Sequence, residues 1–133
     1  MIERAVLALV IVAVVSAAGY ALRSWATWRR RRLIGLRLEP SASAAPRVIA
    51  FSSPGCVSCR RQRRVLDAAL AEWAGAVEIS YVDAVAEPEL ARRLGVVVVP
   101  TTVVAAPDGR VVGITGDVAD VDHLLRQLCE AAA

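Results

Sequence analysis

The sequence predicts an α/β fold, a three-layer β-α-β-α-β-β-α arrangement with a mixed sheet, placed after one apolar N-terminal helix. Three observations carry this expectation. Residues 47–133 alternate short β-branched runs with stretches of helical periodicity. Pro107-Asp108-Gly109 joins two of the β-branched runs as a hairpin turn. Residues 5–22, "AVLALVIVAVVSAAGYAL", are 18 uncharged residues in a row.

That uncharged run is about 27 Å long as a helix, just enough for a bilayer core of about 30 Å. It reads as a single-pass cell-membrane anchor, residues 1–22. The rival is a signal peptide with Arg4 as its basic end and "SAA" as a cleavage site after Ala18. Retention is favoured because the apolar run continues through Tyr20 and Leu22 into a strongly basic flank. Arg23, Arg29, Arg30, Arg31, Arg32 and Arg37 follow the run, and only Arg4 and the amino terminus precede it. Positive charge on the carboxy-terminal flank places the following domain in the cytoplasm, with an extracytoplasmic domain as the alternative. Trp25 and Trp28 fall where interfacial aromatics sit, and the arginines read as an anchor on anionic lipid. Residues 23–46 are expected to be a basic juxtamembrane segment ending in a linker, "EPSASAAP", and residues 47–133 the folded domain.

Charge is split between these parts. Residues 1–46 carry seven Arg and two acidic residues, residues 47–133 nine Arg and eleven acidic residues. A mildly acidic domain behind a basic segment argues against nucleic-acid binding and for a membrane surface. The domain itself is small, yet large enough to fold without disulfide staples.

Within the domain, "RVIAFSS" (47–53) is a buried strand ended by Pro54-Gly55. A helix follows from Cys56 to Trp73, with Val65, Leu66, Ala69, Leu70 and Trp73 recurring at helical spacing and Arg60, Arg61, Arg63 and Arg64 exposed. "VEISYVD" (77–83) alternates Val77, Ile79 and Tyr81 with Glu78, Ser80 and Val82, as a strand does. "EPELARRLG" (87–95) is a short helix with Pro88 in its first turn and Gly95 beyond its end. Residues 101–105 and 110–115 are the two arms of the hairpin, and residues 120–132 close the chain as a helix. The first β-α-β crossover requires parallel strands and the hairpin an antiparallel pair, so the sheet is mixed.

Cys56 and Cys59 form a CxxC at the start of the first domain helix, directly after the first strand, and Val99-Pro100-Thr101 opens the strand that enters the hairpin. With this element order, the chain resembles the thioredoxin superfamily over residues 47–131, as a membrane-anchored member with a CVSC motif. The resemblance implies a thioredoxin-like three-layer fold, a cis bond before Pro100, and a Cys56/Cys59 couple lying against that proline. It also implies thiol-disulfide oxidoreductase activity on disulfide-bearing or dithiol protein substrates, with a separate redox partner and no cofactor. Some positions depart from thioredoxin. Val57-Ser58 lies between the cysteines, Gly55 replaces a tryptophan, Ala50 replaces a buried carboxylate, and the first strand and helix are missing.

The chemistry follows from position. Thiolate is the attacking species. A cysteine at a helix amino terminus faces unpaired N–H groups and the positive end of the dipole, which lowers its pKa from about 8.5. Arg60 and Arg63, one and two turns on, would add to that field, although a solvated face is their plainer reading. Cys56 is the expected nucleophile and Cys59, one turn inward, the resolving thiol. Val99, Pro100 and Thr101 are the expected substrate floor.

A zinc site is disfavoured, because His123 and Cys129 are the remaining ligands and do not share a helix face. A purely structural Cys56–Cys59 bridge closes too small a loop to stabilise much. The rival function is a non-enzymatic redox switch or tethering module. His123 is expected as a surface histidine and Cys129 as a small buried or half-buried side chain.

Overall fold

The computed structural model describes residues 2–33 and 36–133; the side chains of residues 2–5 and 26–33 also lie outside what is described, and with them the expected interfacial Trp28 and Arg29–Arg32. The chain divides at Arg32 and Leu33 into two compact units. The first is helix α1 (Ile2–Leu33). Its Val6–Trp25 stretch is long and apolar enough to cross a membrane and passes the same test as a signal sequence. None of that stretch is buried within the protein.

The second unit contains β1 (Arg47–Ser52), α2 (Val57–Glu72), β2 (Glu78–Asp83), α3 (Pro88–Arg93), β3 (Thr101–Ala105), β4 (Val111–Gly116) and α4 (Val121–Ala132). The order is the one expected, with boundaries differing by one or two residues. The sheet runs β2-β1-β3-β4. β1 is parallel to β2, as its crossover helix requires, and antiparallel to β3, while β3 and β4 form the antiparallel hairpin. β1 is therefore central, which explains why four of its six residues are buried.

Alternation along the strands sends side chains to two faces, each with its own core. Val48, Ala50, Val104 and Val112 pack against Leu66 and Ala69 of α2 and Leu124, Leu128 and Ala131 of α4. Ile49, Phe51, Val103 and Val111 pack against Ala91 and Leu94, in and just after α3. Helices on both faces of one sheet make three layers.

Residues 36–46, expected to belong to a juxtamembrane linker, instead pack on the domain as a strap, with 36–41 along the hairpin. Leu38 N–H donates to the Gly109 carbonyl, Val111 N–H to the Leu36 carbonyl, and Ser41 N–H to the Pro107 carbonyl. Leu36 and Leu38 pack on the Phe51 cluster, and Ala45 is buried. The low periodicity of "EPSASAAP" concealed this, because a strap held partly through backbone groups needs no regular amphipathic pattern. Gly109 is required beneath it. Its φ is +85°, and a Cβ there would collide with the Leu38 carbonyl.

The strap is also pinned to β2. Ser43 Oγ donates to Glu78 Oε1 at 2.6 Å, and Arg47 Nε donates to Glu78 Oε2 at 3.1 Å. Hydrogen bonds from Ser43, then Ser41, then Arg47 hold the Glu78 carboxyl down from its ordinary 4.5 to about 2. A depressed folded-state pKa stabilises the fold fully above the ordinary value, and that contribution is lost as pH falls toward about 2. Glu78→Gln should therefore lower the urea midpoint at neutral pH. The gap to the parent chain should narrow as pH drops from 4.5 to about 2. A gap that does not change with pH would show that these bonds contribute no linkage.

Candidate functional site

The site begins where β1 hands over to α2. Cys56 N–H donates to the Ser53 carbonyl at 3.3 Å, closing a turn with Pro54 and Gly55 at its centre. Gly55 has φ +76°, the left-handed conformation a type II turn demands at that position. The dipeptide Pro54-Gly55 thus delivers Cys56 to the N-cap of α2, where its Sγ accepts from Cys59 N–H at 3.2 Å. Ser58 Oγ lies 3.5 Å from the same sulfur. No acidic residue occupies the first turn of α2, so nothing there offsets the positive end of the helix.

Cys56 and Cys59 are joined as a disulfide with a Cα–Cα distance of 5.3 Å. Both are half-buried. The Val99–Pro100 peptide bond is cis, Pro100 is buried, and its carbonyl accepts from Asp117 N–H at 2.8 Å. A cavity of about 560 Å³ is lined by Cys56, Cys59, Arg60, Arg63 and Pro100 among others. Val99 and Thr101, the other expected site residues, do not line it. Val99 packs on the Phe51 cluster, and Thr101 is buried with Oγ1 donating to the Val98 carbonyl at 2.6 Å.

Gln62, Tyr81 and Asp67 are among the cavity residues that the sequence did not assign to a site. Gln62 is only 2% exposed, donates to Thr102 Oγ1 at 3.1 Å and accepts from Ala119 N–H at 2.6 Å. It ties α2 to β3 and to the loop before α4, and lines the same cavity as the two cysteines. A polar residue in register with Leu66 and Ala69 on the buried stripe was the available signal. Tyr81, on the same face of β2 as Ile79, is 41% exposed and carries the Arg63 guanidinium 4.2 Å above its ring. Burial, and then Asp67, push its hydroxyl pKa up, so it stays neutral. Asp67 lines the same cavity. Ala50 lies opposite Tyr81 in the β1–β2 register and also lines the cavity.

The remaining cysteine corrects an expectation. Cys129 is exposed rather than buried, because Leu124, Leu128 and Ala131 form the buried stripe of α4 and residue 129 falls outside it. His123 is half-buried, with Nε2 3.3 Å from Thr115 Oγ1 and 3.1 Å from Gln127 Nε2.

A family model described as Thioredoxin matches residues 39–130. The match begins inside the strap. A thioredoxin from Methanocaldococcus jannaschii is 35% identical over 54 residues, 41% of this chain, and the chain spans 64% of that relative's length. Among solved structures, a mutant thioredoxin from Halobacterium salinarum is similar at 25% identity with a TM-score of 0.60 over 69% of this chain and 79% of that one. Mitochondrial thioredoxin 3 from Saccharomyces cerevisiae, in its oxidised form, shares the fold at 19% identity and a TM-score of 0.57, over 78% of this chain and 88% of its own.

Proposed function

The chain belongs to the thioredoxin family, and from that premise we propose that it is a thiol-disulfide oxidoreductase acting on protein disulfides through Cys56 and Cys59. The observation that carries this reading is the Cys56–Cys59 disulfide at the amino end of α2, with the cis-bonded Pro100 on the same cavity wall.

In the reducing direction, the Cys56 thiolate attacks one sulfur of the substrate disulfide. The substrate S–S bond breaks, a mixed disulfide forms, and the departing sulfur takes a proton from water. Cys59, as thiolate, then attacks Cys56 Sγ, so the second substrate sulfur leaves reduced and the pair ends as the disulfide. An external dithiol resets it. The N–H of Cys59 that reaches Cys56 Sγ supports the thiolate, as does the helix terminus. Arg60 and Arg63 add positive field one and two turns along. Pro100 forms the ledge for an extended substrate segment. Val99 and Thr101 hold that ledge through the Phe51 cluster and the Val98 carbonyl.

The test is catalytic reduction of a protein disulfide with a dithiol supplied in excess. Turnover supports the reading. Partner binding that changes with redox state, without turnover, would make the chain a switch instead.

The Val6–Trp25 stretch serves in this reading as a single-pass anchor. The arginines after it favour a cytoplasmic domain. Because Cys129 is exposed and free, it reports the side directly. In intact cells a membrane-impermeant maleimide should leave Cys129 unlabelled until the membrane is opened. Labelling beforehand would place the domain outside.

A further inference from the structure

We propose that the cavity beside the disulfide is a specificity pocket for acidic substrates, in which carboxylates flanking the substrate cysteine dock on Arg60, Arg63 and Arg64 as its sulfur reaches Cys56. This rests on the oxidoreductase reading above and adds the class of protein disulfide preferred.

The argument begins with spacing. Residues three and four apart on a helix share a face, so Cys56, Arg60, Arg63, Arg64 and Asp67 form one stripe along α2. All five line the 560 Å³ cavity, a size suited to a few side chains. Three guanidinium groups there face one carboxylate, that of Asp67. The three arginines are exposed, and among the described residues the ion pairs are Arg47–Glu78 and Arg92–Glu89, which leave them without a carboxylate partner. Positive charge gathered beside the reacting sulfur and not neutralised from within is available to a substrate.

Arg63 is also held in place. Its guanidinium lies on the Tyr81 ring, and the fork of a stacked arginine loses less freedom on binding a carboxylate than a loose lysine would. The chain contains no lysine, so every cation in this stripe has the planar geometry that grips carboxylate oxygens in pairs. Ser52 and Ser53 complete the polar wall near Cys56.

Geometry sets the reach. Each four-residue step along α2 rises about 6 Å, so Arg60 and Arg64 lie roughly 6 and 12 Å from Cys56 along the axis. An extended peptide advances about 3.3 Å per residue, which matches acidic residues about two and four positions from the attacked cysteine.

The experiment uses the full chain in neutral detergent, reduced beforehand, and two synthetic peptides closed by one disulfide. The peptides differ only in carrying Glu or Lys two and four positions from each cysteine. The Glu peptide should be reduced at least about tenfold faster at ~20 mM salt, and the ratio should fall toward one at ~0.5 M, where the screening length drops to a few ångströms. In the double variant Arg60→Glu, Arg64→Glu the ratio should invert. Arg64→Glu alone, at an exposed position two turns from the sulfur, should cut the ratio by several-fold. Taking the ratio removes any change in the reactivity of Cys56 itself. Equal rates for the two peptides, or a Glu preference that survives both variants, would overturn the acidic pocket while leaving the oxidoreductase reading intact. Failure to reduce either peptide would remove that reading, and this proposal with it.

Discussion

Cys56→Ser is expected to abolish dithiol-driven reduction of a protein disulfide, whereas Cys59→Ser should permit one attack and then stop. The difference follows from where α2 puts the two sulfurs. Cys56 Sγ occupies the N-cap, close to the Ser58 hydroxyl and the N–H of Cys59, where a thiolate is supported. Cys59 lies within the first turn, near enough to have closed the disulfide. Without Cys59 the mixed disulfide has no internal thiol to resolve it, so covalent complexes accumulate. They should appear as reductant-sensitive bands on non-reducing gels, and Cys56→Ser should show none. Complexes that persist in Cys56→Ser would assign the attack to Cys59 or to the exposed Cys129. Cys129→Ser in the same background separates those two, and that substitution alone should leave turnover at the parent level.

A domain cut to begin at Arg47 is expected to be markedly less stable than one beginning at Leu33. The shorter chain loses Leu36 and Leu38 from the Phe51 cluster, and buried Ala45. It also loses the strap's backbone bonds to Pro107, Gly109 and Val111, the Pro46 carbonyl that accepts from Glu78 N–H, and the Ser43 bond to Glu78. Leaving the exposed Glu78 bond aside, two partly buried leucines and the backbone hydrogen bonds amount to on the order of 3 kcal/mol. For a small domain that is a large share of the net stability. Urea midpoints of the two truncations decide the matter, and equal midpoints would mean that the strap rests on the hairpin without stabilising it. The same comparison tests where the domain begins, which we place before residue 47.

Much of the architecture was legible because it is written locally. The 3.6-residue recurrence of Leu66 and Ala69, the β-branched run at Thr101–Ala105 and the Pro107-Asp108-Gly109 turn each mark an element without reference to the rest of the chain. Pro54-Gly55 before Cys56 marks the turn that makes the cysteine an N-cap. The strap was not legible, because much of it is held through backbone groups that any residue supplies, and its side-chain partners, the Phe51 cluster and Glu78, lie far along the chain. The surroundings of Tyr81 were not legible for a related reason. Alternation tells which face of β2 it takes, but not that the helix above leaves it partly open beneath an arginine.

By itself, the sequence determined the order of elements, the mixed sheet, the placement of a dithiol at a helix start and of a proline at a strand start. All of these depend on neighbours a few residues away. Tertiary structure alone decided what surrounds the sulfurs and what pins the strap. Gln62 meets Thr102 and Ala119, 40 and 57 positions along, Ser43 meets Glu78 across 35, and Arg63 meets Tyr81 on a different element. Such pairs exist only after the layers have packed, because side-chain hydrogen bonds and ring contacts act over a few ångströms while chain spacing says nothing about which distant segments come that close.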